Sequence, residues 1–462
     1  MLSQDWKISL EVVKNVLVLS CSSMCYCGCF IPLRTYLCIL PEIGNISSVL
    51  FSLLYAVSAG SALMNGLFLP KIPYKLVLAP AYAMAALLIF SISFFQYSII
   101  IPACILLGLS QGLLWGAPDT YIIEAANRYV RGSPKSKDCC IQRFLCIYYA
   151  FTYTGWALGF LLEFGLGVES GKNYTQYPLV MVNSEKRGCH YTSASSFSLA
   201  TFLVSRKSDY LAPLGWHVLP LCLAWIASAI ALVLLFLDQS DFFPSNVYNT
   251  ATRWRFYSIL QTFRYKCIFR KVMLFFYTGF SEAFLMADVV EAYIACTTSI
   301  SVTGYVLFSY SLVSALFSIF LMLTVTHLSK ATFIWLGLSC HIGGLLVLRI
   351  WNPTDEDLAI FYVITITWSV GQTIWQILGQ KILYETLQER WQFSFTIYHS
   401  VRALGMSIGF LIKPFGFMEY KIYSTCAILV ISFLLFVFHE LGSKRETSDN
   451  TIRFIEVIDE RH

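Results

Sequence analysis

The stretch LLWGAPDTYIIEA, residues 113–125, ends an apolar run with a proline and two carboxylates, Asp119 and Glu124. The apolar run has the length of a membrane-spanning helix, which needs about 20 residues. A charged side chain inside such a helix is costly, so it normally faces a charged partner or a water-filled cavity. Two interpretations of Asp119 follow. It is a functional charge in a cavity, or it is structural, either in a fixed ion pair or reaching water near the end of its helix.

The whole chain has the composition of a membrane protein. Of its 462 residues, 57% are hydrophobic and only 13% are charged, and the mean hydropathy is +0.65. Soluble domains average about 25% charged residues, so we expect the lipid bilayer to be the main solvent. The net charge of +5 is too small and too scattered to indicate a nucleic-acid partner.

Repeated apolar runs of spanning length predict an all-α polytopic membrane protein with twelve transmembrane helices. The predicted spans lie near residues 13–33, 47–69, 76–95, 99–123, 142–165, 215–237, 271–296, 302–326, 331–350, 358–382, 393–413 and 421–439.

The spans form two groups of six. We predict an N-terminal half at residues 1–237, a linker at 238–270, a C-terminal half at 271–440 and a polar tail at 441–462. The second half of the linker alternates basic with aromatic residues, which favours a short amphipathic segment on anionic headgroups.

The distribution of basic residues predicts the orientation. If both termini and the linker are cytosolic, that face carries most of the 32 Lys and Arg residues, as the positive-inside rule requires. The basic residues placed on the outer face are Arg34, Lys172, Lys186, Arg187, Arg206, Lys207, Arg349, Lys413 and Lys421. Two N-glycosylation sequons, at Asn45 and Asn173, also fall on the outer face, and Asn173 is the better acceptor because its loop is long. The location is therefore a plasma membrane or an endomembrane.

Four motifs follow one another along the chain. They are KNVLVLSCSSMCYCGCF (14–30), LLGLSQGLLWGAPDTYIIEAA (106–126), FFYTGFSEAFLMADVV (275–290) and GQTIWQILGQKILYETL (371–387). In this order they resemble the uncoordinated-93-like (Unc-93-like) family, a branch of the major facilitator superfamily. The positions that match the family motifs are Trp115, Thr120, Tyr121, Gly279, Glu282, Phe284, Asp288, Trp375, Gln376 and Tyr384.

The resemblance implies a fold and two kinds of activity. It implies a major facilitator fold, and it implies a regulatory partner of two-pore-domain potassium channels or a trafficking chaperone of membrane receptors. Two departures from the family bear on transport. Pro118 and Asp119 stand where the family usually has Gln-Gly, and the turn LPKIPYK (69–75) lacks the full Gly…Asp-Arg motif of transport-competent facilitators. The second departure favours a protein that does not transport.

Four charges are candidates for a cavity or gate: Asp119, Glu282, Asp288 and Arg402. In the facilitator fold helices 1, 4, 7 and 10 line the cavity, and helix 7 carries Glu282, Asp288 and Glu291 within one broad face. Arg402 is the one clearly intramembrane base, and its guanidinium cannot lose its proton. We therefore expect it to pair with Glu282 or Asp288, so that losing one partner is worse than losing both. The pair is either a cation or proton site, or a fixed interhelix contact.

Other polar residues give weaker signals. Cys21, Cys25 and Cys29 share one helical face, but no His or acid neighbours them, so helix packing is favoured over metal binding. His341 and His399 fit no metal or catalytic pattern, and we interpret them as core histidines. One outer disulfide, Cys38–Cys189, is a further option.

Three classes of function remain. The first is a non-enzymatic regulatory or trafficking partner of another membrane protein, such as a potassium channel. The second is a secondary transporter of an unknown small solute or proton. The third, a membrane enzyme, has no supporting motif, and we predict no cofactor and no metal. Acids that converge on an open cavity favour transport, whereas acids that are paired in a closed bundle favour a scaffold.

Overall fold

The computed structural model describes residues 2–40, 43–68, 72–94, 96–131, 137–167, 218–238, 266–298, 300–324, 329–351, 358–386, 391–415 and 417–459. The predicted linker between residues 239 and 265, the sequon at Asn173, and Cys189 lie outside these ranges.

Every described element is a helix. In chain order they are α1 (Leu2–Ile39), α2 (Gly44–Phe68), α3 (Tyr74–Ile92), α4 (Tyr97–Arg131), α5 (Lys137–Gly167), α6 (Val218–Phe236), α7 (Lys266–Ala283), α8 (Ile300–Thr324), α9 (Lys330–Ile350), α10 (Leu358–Thr386), α11 (Trp391–Ile412) and α12 (Met418–Asp459). α7 continues directly as a π-helix, Phe284–Ala295. Within the described ranges, 12 helices are long and apolar enough to cross a membrane. The predicted all-α fold with twelve spans is confirmed.

Several helices extend beyond their predicted spans. α1 runs on to Ile39 instead of ending near residue 33, and α12 continues as a helix to Asp459 through the segment predicted as a polar tail. α4 passes through Pro102 and Pro118 without ending. The predictions followed apolar content, whereas a helix continues wherever its backbone stays hydrogen-bonded, so polar helix ends were missed.

Contacts between helix ends define the two ends of the bundle. One end carries the start of α1 and is called here the terminal end. There, Lys14 of α1 forms an ion pair with Asp238, which follows α6, and Nη1 of Arg128 in α4 lies 3.4 Å from Oε1 of Glu11. At the opposite end, which carries the α1–α2 connection and is called here the first-loop end, Ser48 of α2 donates to Cys38 of α1.

Close backbone packing joins helices within each half. A Cβ atom on Gly159 of α5 would overlap the carbonyl oxygen of Gly28 in α1, and one on Gly405 of α11 would overlap that of Phe276 in α7. The equivalent helices of the two halves, α1 with α5 and α7 with α11, are thus packed in the same way. Small residues allow such close approach in membranes.

The halves pack against each other chiefly through two helix pairs, α2 with α11 and α5 with α8. Ser400 of α11 donates to the carbonyl of Ala59 in α2 at 2.7 Å, and Ser407 donates to that of Ser52 at 2.9 Å. α1, α4, α7, α10 and α11 carry buried polar residues between these pairs, and those residues form the candidate site.

Candidate functional site

Three buried charges meet in the middle of the bundle. One carboxylate oxygen of Glu282, in α7, accepts a hydrogen bond from Arg402 of α11 at 2.5 Å. The other oxygen accepts one from Arg34 of α1 at 3.1 Å. The exposed fractions of the side chains are 1% for Glu282, 5% for Arg402 and 0% for Arg34. We call these three residues the arginine–glutamate triad. The expected pairing of Arg402 with Glu282 is confirmed.

Arg34 corrects the sequence analysis. It was expected on the outer face, and Arg402 was expected to be the one clearly intramembrane base. Both expectations were wrong, because α1 continues to Ile39 and Arg34 turns into the bundle. The segment FIPLRTYL is apolar on both sides of Arg34, and that apolar continuation was the available signal. Arg34 belongs to the N-terminal half and Glu282 to the C-terminal half, so the triad joins the two halves.

Local packing explains how the triad forms. A Cβ atom on Gly279 would overlap the carbonyl oxygen of Arg402, so α7 and α11 touch backbone to backbone one turn before Glu282. The Arg34 guanidinium lies 5.3 Å from the ring centre of Phe410, and the Arg402 guanidinium lies 5.8 Å from that of Trp115. Arg34 also donates to the Tyr55 hydroxyl at 2.5 Å. Aromatic faces and hydrogen bonds thus replace water around the two cations.

Asp119 lies in a second buried network, closer to the terminal end. Its carboxylate accepts hydrogen bonds from His399 of α11 at 2.6 Å and from Gln380 of α10 at 2.9 Å. Gln380 also donates to the Tyr149 hydroxyl at 2.5 Å. Asp119 is 1% exposed, so the alternative that it reaches water near the helix end was wrong. His399 is a buried histidine, as expected, but it is also the partner of Asp119, which the sequence analysis did not foresee.

The other two acids of helix 7 turn to different partners, toward the first-loop end. Asp288 forms an ion pair with Lys421 at 2.5 Å, and Glu291 forms one with Lys413 at 3.1 Å. Both acids lie in the π-helix that continues α7. The three acids thus bind different partners along the helix, and the expectation that they share one broad face stays a prediction. Lys413 and Lys421, which were expected in outer loops, instead lie 1% and 11% exposed.

The remaining family-like positions are structural neighbours of these networks. Thr120 donates to the carbonyl of Gly116, Tyr121 packs edge-on against Tyr74, and Phe284 packs against Trp368. Trp375 fills the space over Gly337, and Gln376 accepts the Tyr153 hydroxyl at 3.2 Å across the two halves. Asn45 is exposed in the first turn of α2.

One buried acid was missed in the sequence. Glu163 of α5 is 5% exposed and accepts the Cys222 thiol at 3.4 Å. Its second oxygen has no partner in the part of the chain that the structure describes. The only sequence signal was an acid inside a predicted span.

The cysteines named in the sequence analysis and His341 have structural roles. Cys27 and Cys29 are buried between helices, and Cys29 donates to the carbonyl of Cys222. Cys38 is a free thiol, so the proposed Cys38–Cys189 disulfide was wrong. His341 lies 2.5 Å from the Tyr277 hydroxyl and stacks on Trp368, as expected for a core histidine. The described residues hold no group of three or more His, Cys, Asp or Glu side chains arranged for a metal ion.

Comparison with known proteins bears on both sequence and fold. Protein unc-93 homolog A of Xenopus laevis is 24% identical over 444 residues, which are 93% of this chain and 94% of that protein. The mouse protein of the same name is 25% identical over 431 residues, which cover 91% of each. The chain is therefore Unc-93-like. No family model matches it.

A third relative and the solved structures complete the comparison. A Caenorhabditis elegans protein named "Putative potassium channel regulatory protein unc-93" is 25% identical over 321 residues, which are 68% of this chain and 45% of that protein. A structure of the E. coli fucose:proton symporter FucP superimposes with a TM-score of 0.60 at 11% identity, and it covers 93% of the Unc-93-like chain and 99% of the symporter. A second FucP structure, in the outward conformation, gives 0.59 at 13% identity. The fold is that of a major facilitator.

Proposed function

We propose that this Unc-93-like protein is a non-enzymatic regulatory or trafficking partner of another membrane protein, such as a potassium channel. The curated relatives support this proposal, and one of them is named as a potassium channel regulator. The observation that carries it is the pairing of Arg34 with Glu282, because this ion pair links the two halves in the bundle interior.

The physical argument concerns the cost of moving the halves apart. Alternating access rocks one half against the other. Such motion would separate Arg34 from Glu282 and Asp119 from His399, which lie in different halves and are buried. Breaking a buried charge pair leaves uncompensated charges, at about 3–5 kcal/mol for each lost partner. Buried acids that are paired across the two halves thus favour a scaffold that presents its surface to a partner.

Partner identification tests this proposal directly. The tagged full-length chain is purified from cross-linked native membranes beside an equally expressed facilitator of unrelated sequence, and the associated proteins are compared by mass spectrometry. We expect a membrane protein to be enriched only with the Unc-93-like chain. Co-expression should then change that protein's surface abundance or, for a channel, its current. No enrichment over the control, or an enriched protein that behaves identically without the chain, contradicts the proposal.

A second candidate is a secondary transporter of a small solute or proton. The fold match to a fucose:proton symporter favours it, as does the Asp119–His399 contact inside the bundle, since a carboxylate and an imidazole can exchange a proton. An uptake screen in proteoliposomes with an imposed pH gradient tests this candidate. Accumulation above that of empty liposomes, abolished by Asp119→Asn, would support transport over a purely regulatory role.

We also propose the chain's orientation and division. Both termini and the linker at residues 238–270 are cytosolic, and the linker separates halves at 1–237 and 271–440, with a tail at 441–462. The bias of basic residues supports the orientation, and the packing of α1 with α5 and of α7 with α11 supports the division.

A further inference from the structure

The arginine–glutamate triad carries more positive than negative charge. Two guanidinium groups share one carboxylate, so the three side chains have a net charge of +1, and each is at most 5% exposed. An arginine cannot remove this excess by losing a proton. The next buried acid, Asp119, acts electrostatically on Arg402, but it is hydrogen-bonded to His399 and Gln380 and does not contact the triad. A buried charge without a contacting counterion is unfavourable, so the excess calls for a compensating negative charge at the triad itself.

Both arginines of the triad also keep a donor without a partner. The Nε atoms of Arg34 and Arg402 are buried and have no partner among the described residues, and the same holds for the Tyr310 hydroxyl. Tyr310 lies within electrostatic range of all three triad residues. Guanidinium nitrogens can only donate, so a ligand that satisfied them would have to be an acceptor.

We propose that the triad is the charged end of a binding site for a small monocarboxylate anion. A single negative charge would neutralise the excess, and a carboxylate is the planar acceptor that guanidinium groups bind best. The rings of Tyr55, Phe410 and Trp115 lie over the two guanidinium groups, at 5.3 to 5.8 Å from ring centre to cation. They give the triad an aromatic lining, which suits an organic anion better than an inorganic one.

The proposal does not rest on the proposed partnership, since a ligand site can exist in a transporter or in a regulatory protein. The two therefore fail separately. Absence of a protein partner leaves the anion site untouched, and absence of anion binding leaves the partnership untouched.

Benzoate and benzamide provide a matched pair of probes, because they share one ring and differ in charge. The purified full-length protein is heated in detergent in a sulfate buffer with increasing benzoate, benzamide or chloride, and unfolding is followed by intrinsic fluorescence. Because a ligand stabilises the state to which it binds, Tm should rise by a few degrees with each tenfold increase of benzoate above its Kd. Benzamide should give no comparable rise.

Variants of the triad separate an anion site from a purely structural contact. Arg34→Gln leaves a neutral Arg402–Glu282 pair, so we expect a folded protein that has lost the benzoate response. Glu282→Gln raises the excess charge to two, so we expect a lower starting Tm and a larger benzoate response than in wild type. Lys421→Gln removes a charge at another ion pair and should keep the wild-type response.

The outcomes that overturn the proposal are distinct. They are equal responses to benzoate and benzamide in wild type, no response to either, or a benzoate response that persists in Arg34→Gln. A chloride response as large as that of benzoate would show that the site recognises charge alone, and it would overturn the assignment of a carboxylate. Should Arg34→Gln give no folded protein, the comparison of benzoate with benzamide and chloride in the wild-type protein decides the question by itself.

Discussion

Two sets of ion pairs in the same bundle differ in what they connect. In the middle, Glu282 joins Arg34 of the N-terminal half to Arg402 of the C-terminal half. At the first-loop end, Asp288 and Lys421 pair within the C-terminal half, on α12 and the π-helix that follows α7. The first set resists movement of one half against the other, whereas the second moves with its half. Both sets are largely buried, so burial does not distinguish them. What differs is whether the two partners belong to different halves or to the same half.

The largest expected effect comes from removing the shared acid of the triad. Glu282→Gln leaves two buried guanidinium groups without a counterion, so we expect a loss of roughly 3–5 kcal/mol or more in the free energy of unfolding. Arg402→Leu should cost less, because Arg34 and Glu282 remain as a neutral pair. Folded yield by size-exclusion chromatography and thermal unfolding measure both.

The triad also reverses an expectation from the sequence. If Arg402 were the only partner of Glu282, Arg402→Leu with Glu282→Gln would recover the yield lost in Arg402→Leu. Since Arg34 also pairs with Glu282, the double variant leaves Arg34 alone, and we expect it to be worse than Arg402→Leu. Recovery in the double variant would show that Arg34 does not depend on Glu282.

A smaller effect should follow from widening the contact between α7 and α11. In Gly279→Ala the new methyl group would meet the carbonyl oxygen of Arg402, so the two helices must separate next to the triad. We expect a loss of about 1–3 kcal/mol, typical of an overpacked site. Gly343→Ala is the matched control, because a Cβ atom there meets nothing within 4 Å. Equal melting temperatures for the two variants would argue against the close contact.

The pair at the first-loop end should matter less. In Asp288→Leu, Lys421 retains its bond to the carbonyl of Lys413 at 2.8 Å and lies near the end of its helix. A long lysine side chain can reach the interface from such a position. We expect a loss of about 1–2 kcal/mol, at the lower end of the cost of a buried unpaired group. A loss as large as that of Glu282→Gln would contradict the distinction between the two sets of pairs.

Removal of the glycan acceptor Asn173 should have the smallest effect on stability. The same change tests which end of the bundle faces the cytosol. If the first-loop end is outside, Asn173 should carry a glycan in a secretory-pathway membrane. Treatment with a glycosidase should shorten the wild-type protein on a gel and leave Asn173→Gln unchanged, with no change in Tm. Asn45→Gln is the comparison, since its acceptor lies in the first turn of α2. A glycan that disappears only on mutation of a residue assigned to the terminal end would reverse the orientation.

The membrane class, the number of spans and the need of Arg402 for an acidic partner could be predicted from the residues alone. Apolar runs near 20 residues specify spanning helices because an unpaired backbone cannot lie in lipid. An unpaired guanidinium in such a run is costly, so a contact of Arg402 with Glu282 or Asp288 could be predicted, and the structure selects Glu282. The order of motifs from residue 14 to 440 also sufficed to predict the resemblance to Unc-93 proteins.

Which charges share a site depends on how the helices pack. Arg34 and Glu282 lie 248 residues apart, and Asp119 and His399 lie 280 apart. A charge inside an apolar run indicates that the group needs a polar partner, but it does not identify the helix that carries this partner. Asp288 and Glu291 likewise pair with Lys421 and Lys413, two lysines that the sequence placed in outer loops. Partner choice depends on helix contacts, which are properties of the packed bundle, whereas the requirement for a partner belongs to each residue alone.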